Sequence, residues 1–502
     1  MKEQIETNIY SKIPIIPVIQ HNGEKRLVTL REFLINSIHY SDFCLSYCSE
    51  RIAFNHFIIL IGLAMCHKFN KFEFKNSEDF IENMVKYLDQ YEQHFELAGP
   101  NYYFLQQNFN EKLMEKEIQS IAKLLPEVES GNNSNFFTKA DDSSPRKYNL
   151  PEVFFALLQG HLIGYGGLGG GFKNDVYNFT DTFAAKPISI FIKKENLADS
   201  IFINVNINNI YNEKNEELKR IALTPIWECP DHGVEMLAKF KTLTGAEVYQ
   251  KFGYERIIKI YWEYDSNNNQ PYACFSKIAQ GIKKDDDIEK YYLNVAITKT
   301  SKEEDIYLKP NQDKVLWRNL DNVLHRFSLI KKNSELTFLI NETFELEALG
   351  LYSDKAKIFG SIRSLFKIPT DLIDEKNLNK LKKCIILVEK NQTYLYANFK
   401  DSLKKLPSNG EKEMAKEDID AYLQHTSAFM EYWNFITLYF NSFFVFEKIV
   451  NNFEHFSEEL EKKIREAKLR AADKFIQDFP HKSTKYKLMG MIYKGIHYVG
   501  TI

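Results

Sequence analysis

From Ile13 to Val28 apolar and polar residues alternate around His21-Asn22-Gly23, a period of two interrupted by a turn, which predicts a β-hairpin. The period then changes. Apolar residues recur at helical spacing from Leu30 to Lys68, and a second helix-rich stretch is predicted from Ser77 to about Leu97. Turn-forming residues crowd positions 130–144, where a long loop or flexible segment is expected. Strand-like alternation dominates from Ile188 to Ile207, Ile257 to Tyr264, Tyr291 to Thr298 and Leu336 to Leu351, so the middle of the chain reads as mostly sheet.

From Thr370 onward the pattern is helical. Leu372, Leu378, Leu381, Ile385 and Leu395 keep roughly that spacing, and Pro407-Ser-Asn-Gly410 supplies the next break. Further helical patterns cover Glu417 to Trp433, Asn434 to about Phe453 and Ser457 to Phe479. The expected fold class is therefore α+β. A large mixed α/β N-terminal domain over residues 1–367 precedes an all-α C-terminal four-helix bundle over 368–502, with the boundary near Lys367.

Composition narrows the function classes. The 502 residues are 44% hydrophobic and 26% charged, as in folded globular chains. Lys plus Arg (65) nearly balance Asp plus Glu (68), so the net charge of -3 excludes nucleic-acid binding through overall positive charge and leaves only a local basic face. Six cysteines without a CxxC pair, and a start that lacks an apolar leader, point to a reducing cytoplasm. The longest uninterrupted apolar run, Phe57 to Cys66, is short of the ~20 residues that cross a bilayer, so no membrane association is expected.

The most unusual segment is Gly164-Tyr-Gly-Gly-Leu-Gly-Gly-Gly-Phe-Lys173, with six glycines in ten residues. It contains GxGxxG, but a dinucleotide fingerprint needs a strand before the glycines and a helix after them. Here the order is reversed. Asn149 can cap a helix with Pro151 in its first turn, and Val153, Phe154, Leu157, Leu158 and Leu162 keep the 3.6 period up to the glycines. A phosphate loop of the GxxxxGK[ST] kind fails too, because the chain has no Gly-Lys-Ser/Thr ending. What remains is a tight internal turn, or a backbone surface that lies close against a nucleic-acid groove where a Cβ would clash.

Catalytic constellations are weak. There is no HExxH, GxSxG or DxDxDG, and Asp285-Asp286-Asp287 beside Lys283 and Lys284 reads as a solvated connection. Cys44 and Cys48, four apart on a helix face, would need Cys66 and His67 to hold zinc, and buried free thiols are the commoner case. Neither a metal nor a cofactor is expected. From residue 461 to the end, ten Lys or Arg stand against four Asp or Glu. Lys462, Lys463, Arg465, Lys468 and Arg470 are then either a phosphate-binding stripe or a solvated helix face.

Taken in order, Ile13-Pro-Ile-Ile-Pro-Val18, Leu30-Arg-Glu-Phe33, Tyr103-Phe-Leu-Gln106, Ser130-Gly-Asn-Asn-Ser-Asn-Phe-Phe137, Gly167-Leu-Gly-Gly-Gly-Phe-Lys173, Thr224-Pro-Ile-Trp-Glu228 and Leu349-Gly-Leu-Tyr-Ser-Asp-Lys-Ala356 resemble the large subunit, of the CasA type, of Cascade, the type I-E CRISPR surveillance complex. The resemblance runs through nearly the whole chain. It implies a non-enzymatic subunit that recognises the protospacer-adjacent motif on double-stranded DNA, starts strand separation and positions the helicase-nuclease, while guide RNA pairing reads the target. The implied partners are the other Cascade subunits, the CRISPR guide RNA, duplex target DNA and the helicase-nuclease effector. The alternatives are a nucleotide-dependent hydrolase using the glycine segment and a protein-only scaffold.

Site roles follow from the resemblance where motifs match. Gly167, Gly169 and Gly170, with Lys173 beside them, fall on the glycine loop that meets the minor groove. Asn133 and Phe137 fall on the loop near the guide's 5′ handle. Two departures stand out. Asp354-Lys355-Ala356 occupies the strand-separating wedge, where relatives often have Asn-Gln-Ala. The motif-reading lysine should fall between Asp265 and Gln270, where this chain has Asn267, Asn268 and Asn269, and Asn268 is the candidate substitute.

Overall fold

The computed structural model describes residues 7–98, 104–106, 118–127, 146–168, 178–179, 181–182, 184–213, 225–228, 242–243, 255–266, 270–280, 283–284, 292, 294–299, 305–311, 314–331, 343–354, 357–406, 415–442, 444–479, 482–496 and 499. Two compact units emerge, Met1–Gln312 with Phe344–Leu365, and Asp313–Thr343 with Phe366–Ile502. The second chain boundary lies within two residues of Lys367. Residues 313–343, however, join the later unit, which a single cut in sequence cannot express.

The first unit begins with the expected hairpin, β1 (Ile16–Gln20) and β2 (Lys25–Val28), in the register Ile16 to Val28, with Gly23 at φ +84° in the turn. The stretch read as one helical run is interrupted. α1 (Leu30–Ile35), capped by Thr29 and Glu32, is followed by β3 (Tyr40–Phe43), which pairs with β1 before α2 (Cys48–Phe69) begins. By length and composition α2 is the one described helix that could cross a bilayer, which a count of the uninterrupted run alone does not foresee. Most of it is buried among α3 (Ser77–Asp89), α4 (Leu150–Leu162) and α5 (Leu197–Glu213). Phe54 of α2 meets Phe33, Phe43, Phe154 and Phe155, an aromatic centre for this core.

The Ile188 to Ile207 alternation is a strand only at its start. β7 (Ser189–Lys193) is a strand, but Ile201 to Ile207 lie in helix α5. The asparagines explain the override. Asn204 Nδ2 donates to the Ile192 carbonyl (2.7 Å) and Asn204 Oδ1 accepts from the Ile192 amide (3.1 Å), so this side chain satisfies an edge of β7 as a neighbouring strand would. Asn294 adds a bond to the Ile190 carbonyl (2.8 Å) and one to Asn204 (2.8 Å).

The remaining strands are mostly short. β4 (Gln119–Ser120) pairs with β10 (Pro271–Gln280), which forms a long hairpin with β9 (Arg256–Tyr264). β5 (Gly167–Leu168) pairs with β6 (Asn178–Phe179), β8 (Thr242–Leu243) with β11 (Lys283–Lys284), and β12 (Ile297–Lys299) with β13 (Asp305–Tyr307). β14 (Thr343–Asp354) lies between β7 and β15 (Lys357–Pro369) in a three-stranded sheet.

The second unit is helical. Its bundle consists of α7 (Glu375–Lys404), α9 (Ala428–Phe440), α11 (Phe453–Asp478) and α12 (Lys482–Ile496), with α8 (Lys416–His425) and α10 (Val445–Asn451) as short flanking helices. The pattern from Glu417 to Trp433 thus divides at Thr426 and Ser427 into α8 and α9. Phe399 stacks on Phe475 with centroids 4.2 Å apart, and the Tyr432 hydroxyl donates to the Val388 carbonyl at 2.8 Å. α6 (Leu320–Lys331) joins this unit by packing on α7, and the preceding Trp317 stacks on Phe440 at 4.1 Å.

Candidate nucleic-acid interface

The glycine segment does follow a helix. Asn149 and Glu152 make a reciprocal capping box at the start of α4, Pro151 lies in its first turn, and α4 ends two residues before Gly164. Gly164 has to be glycine, since a Cβ there would stand 2.6 Å from the Gly160 carbonyl oxygen. Its own carbonyl accepts from the Thr182 amide (2.9 Å), the Thr182 hydroxyl (3.3 Å) and Arg256 Nη2 (3.5 Å). Arg256 Nη2 also reaches the Tyr165 carbonyl (3.4 Å), and the Gly166 amide donates to Asp181 Oδ1 at 2.7 Å. Strand pairing then carries Gly167 and Leu168 opposite Phe179 and Asn178. Gly169, Gly170 and Lys173 lie outside the described residues.

The expected wedge falls where β14 turns into β15. Asp354 ends β14, and Lys355 and Ala356 lie outside the described residues. The start of α2 grips this hairpin. Arg51 Nε donates to both carboxylate oxygens of Glu347 (2.9 and 3.0 Å), and Arg363 Nε of β15 donates to Glu347 Oε1 (2.8 Å). Arg51 also bonds Asp42, which accepts from Lys193 Nζ at 2.8 Å. Three cations against two carboxylates leave this cluster with one net positive charge. Cys48 Sγ lies 3.5 Å from the Ile362 carbonyl, and burial pushes its thiol up to about 12, so it stays protonated. Cys44 lies before α2 and not on it, so the two cysteines do not share a helix face.

Two aromatic rings near the turn were not foreseen. Tyr352 of β14 stacks on Phe359 of β15 with centroids 6.4 Å apart, and Phe359 is 50% exposed. An exposed ring of this kind offers a π-face to a base. The glycine segment and the hairpin also meet. The Tyr165 hydroxyl lies beside Ser353, short of a well-formed hydrogen bond, and burial pushes the phenol up to about 12.

The β9–β10 turn is closed by the Asp265 amide donating to the Gln270 carbonyl (2.9 Å), while Asn268 lies outside the described residues. A lysine from a distant segment packs against this turn. Lys147 Nζ lies 3.5 Å from Asp265 Oδ2 and 4.1 Å from the centroid of Tyr272. Asn133, Phe137 and the Asp285 to Asp287 run are likewise outside the described residues. Among the described residues no group of three or more His, Cys, Asp or Glu side chains is placed to hold a metal ion.

The basic stripe is thinner than its count. Lys468 is only 1% exposed: its ammonium donates to Asn391 Oδ1 (3.3 Å) inside the bundle, and burial lowers it to about 8. It therefore drops out as a phosphate contact. The helical period places it there, on the face shared with Leu460, Ile464, Ala467, Ala471 and Phe475. Lys463 and Arg470 pair with Glu466 and lie over the Phe435 ring, and Arg465 is 3.9 Å from Glu461. Lys462 is exposed and has no ion pair among the described residues.

Comparison with known proteins resolves the family. The family model for CRISPR-associated protein Cse1 matches residues 12–471. No curated protein sequence matches. Among solved structures, CasA of Thermus thermophilus is 18% identical, covers 98% of this chain and 98% of its own, and superposes with a TM-score of 0.73. Cse1 of Acidimicrobium ferrooxidans is 12% identical over 99% of each chain, with a TM-score of 0.74. A chain of a CRISPR RNA-guided surveillance complex is 13% identical over 98% of this chain and 99% of its own, with a TM-score of 0.69. The chain belongs to the CRISPR-associated protein Cse1 family.

Proposed function

We propose that this chain is the non-catalytic large subunit of a Cascade ribonucleoprotein, which recognises a short motif on duplex DNA beside the target and starts strand opening for guide RNA pairing. It works in the cytoplasm with the guide RNA and the other subunits, and it positions the helicase-nuclease that acts afterwards. The glycine segment supplies backbone groups to the minor groove, where base edges offer mainly acceptors. The β14–β15 turn supplies the wedge, with Tyr352 and Phe359 able to receive an unstacked base.

The observation that carries this reading is the placement of Tyr165 beside Ser353. It brings the root of the glycine segment next to the last residues of β14, which supports assigning recognition and opening to neighbouring parts of this unit. The test is reconstitution with guide RNA and the partner subunits, followed by binding to target duplexes with and without the adjacent motif. Motif-dependent binding that requires this chain supports the reading. Equal binding to both duplexes, or assembly without the chain's participation, overturns it.

A further inference from the structure

Between Lys376 and Lys400, helix α7 has lysines at 376, 380, 382, 383, 390 and 400 and a single carboxylate, Glu389. Lys376, Lys383 and Lys390 recur every seven residues. At 3.6 residues per turn, these three and Tyr394 fall within about 40° around the helix axis, along about 27 Å of its length. All four are exposed, Tyr394 by 49%, and Ile386, 39% exposed, lies beside Lys383 and Lys390. Leu381, Cys384, Val388 and Leu395 are buried.

The three aligned lysines have no ion pair among the described residues. None has an Asp or Glu three or four residues away on the helix, and Glu389 is engaged by Arg318 (3.1 Å) and Lys314 (3.3 Å). On α11 the arrangement is different: Lys463, Arg465, Arg470 and Lys474 each face a carboxylate one turn away. Such pairs stabilise an exposed helix, whereas like charges at those spacings destabilise it, and α7 sets Lys380 four residues from Lys376 and three from Lys383. Solubility calls only for net charge, which does not account for unneutralised cations in one line with Ile386 and Tyr394 among them. A nucleic acid accounts for both, because phosphates supply the missing charge and bases supply rings for the apolar positions.

A single strand fits this row better than a duplex. A duplex turns its phosphates outward and hides its base faces, so Ile386 and Tyr394 would meet only charge. A single strand presents phosphates and base faces together, and a cationic track with a stacking ring binds it without reading sequence.

We propose that the exposed face of α7 is a binding track for single-stranded DNA, with Lys376, Lys383 and Lys390 on phosphates and Tyr394 stacked on a base. The choice of DNA rests on the strand-opening reading above, in which separating the duplex releases one strand.

The test is fluorescence anisotropy of the purified full chain with a labelled oligo(dT) long enough to span α7, titrated at several salt concentrations. Joint Lys376→Ala, Lys383→Ala and Lys390→Ala changes are expected to weaken binding by about tenfold or more. They should also flatten the slope of log affinity against log salt by about 2, at roughly 0.7 per phosphate on a single strand. Arginine at the same three positions should keep the parent slope. Tyr394→Leu is expected to lose about fivefold or more at an unchanged slope, while Tyr394→Phe binds as the parent does. Failure of the parent chain to bind oligo(dT), parent binding by the triple alanine variant, or a loss confined to motif-free duplex or to oligo(rU) overturns the proposal. The assay uses neither motif nor guide RNA, so its failure leaves the motif-recognition reading standing. Failure of that reading in the reconstituted complex likewise leaves the oligo(dT) result in place.

Discussion

The single Nε–H of Arg51 bifurcates between the two oxygens of the Glu347 carboxylate, at 2.9 and 3.0 Å, across 296 residues of sequence. The Arg51 and Glu347 side chains are 6% and 1% exposed. Removing Glu347 leaves two cations, Arg51 and Arg363, sharing Asp42 as their remaining carboxylate, with Arg51 still buried. Glu347→Ala is therefore expected to destabilise the chain by about 3–5 kcal/mol, measured by denaturant unfolding. A joint Arg51→Met, Glu347→Leu change should recover much of that loss. A single substitution with no effect on the unfolding midpoint would contradict the burial.

At the hairpin, Phe359→Ala and Lys355→Ala should slow target opening more than they weaken initial motif binding. On the proposed reading, a wedge at this turn acts on unstacking, which costs a few kcal/mol per step. A target with a pre-opened bubble should restore both variants, and an identical defect on bubble and duplex would refute the wedge role.

For the glycine segment, Gly169→Asp and Gly170→Asp should leave assembly intact and weaken motif-dependent duplex binding by roughly a few kcal/mol, through steric clash and repulsion from phosphates. Affinities that match the parent chain would exclude a DNA-facing segment.

Along α11, joint Lys462→Ala and Arg465→Ala changes should flatten the slope of log affinity against log salt by about 0.9 per lost phosphate contact, on motif-containing and motif-free DNA alike. Lys468→Met should leave that slope unchanged, since the ammonium lies inside the bundle. A slope unaltered in the double variant would make this a solvated helix face.

The pH dependence of stability should reflect two buried histidines. Burial lowers His56 to about 3, between Tyr292 and Ser189, and His161 to about 4, with Nε2 donating to the Leu105 carbonyl. Unfolded imidazole titrates near 6.5, so below that pH the unfolded state binds more protons than the folded one. Their contribution is complete above pH 6.5 and falls with acidification, by about 2 kcal/mol per histidine at pH 5. Denaturant titrations of the parent chain and of His56→Gln at pH 7 and pH 5 should differ in this sense.

Local signals carried most of the fold. Asn149, Pro151 and Glu152 announce α4 within four residues, and the terminal helices keep their period, although the stretches from Glu417 to Trp433 and from Asn434 to Phe453 each break once. Where the reading failed, a distant contact had decided the outcome. Ile203, Val205 and Ile207 alternate with Asn204, Asn206 and Asn208 as in a strand, yet Asn204 is needed on a helix to serve Ile192. Helix α6 (Leu320–Lys331) precedes β14 in sequence but packs with α7. Within the candidate site, Arg256 and Asp181 form no motif, because their partners lie 92 and 15 residues away. Lys468 was legible and overlooked, since a charge count ignores the helical period that also places Ile464 and Ala471 inward.

The ion cluster at Glu347 also sets the mechanics of the hairpin. Glu347 is seven residues from Asp354, about 23 Å of extended strand. Clamped there by Arg51 and Arg363, and again near Cys48, the hairpin behaves as a cantilever with its root in the core of its own unit. A load applied at the turn is therefore taken up over the free length beyond Glu347, while the root holds its place against α2.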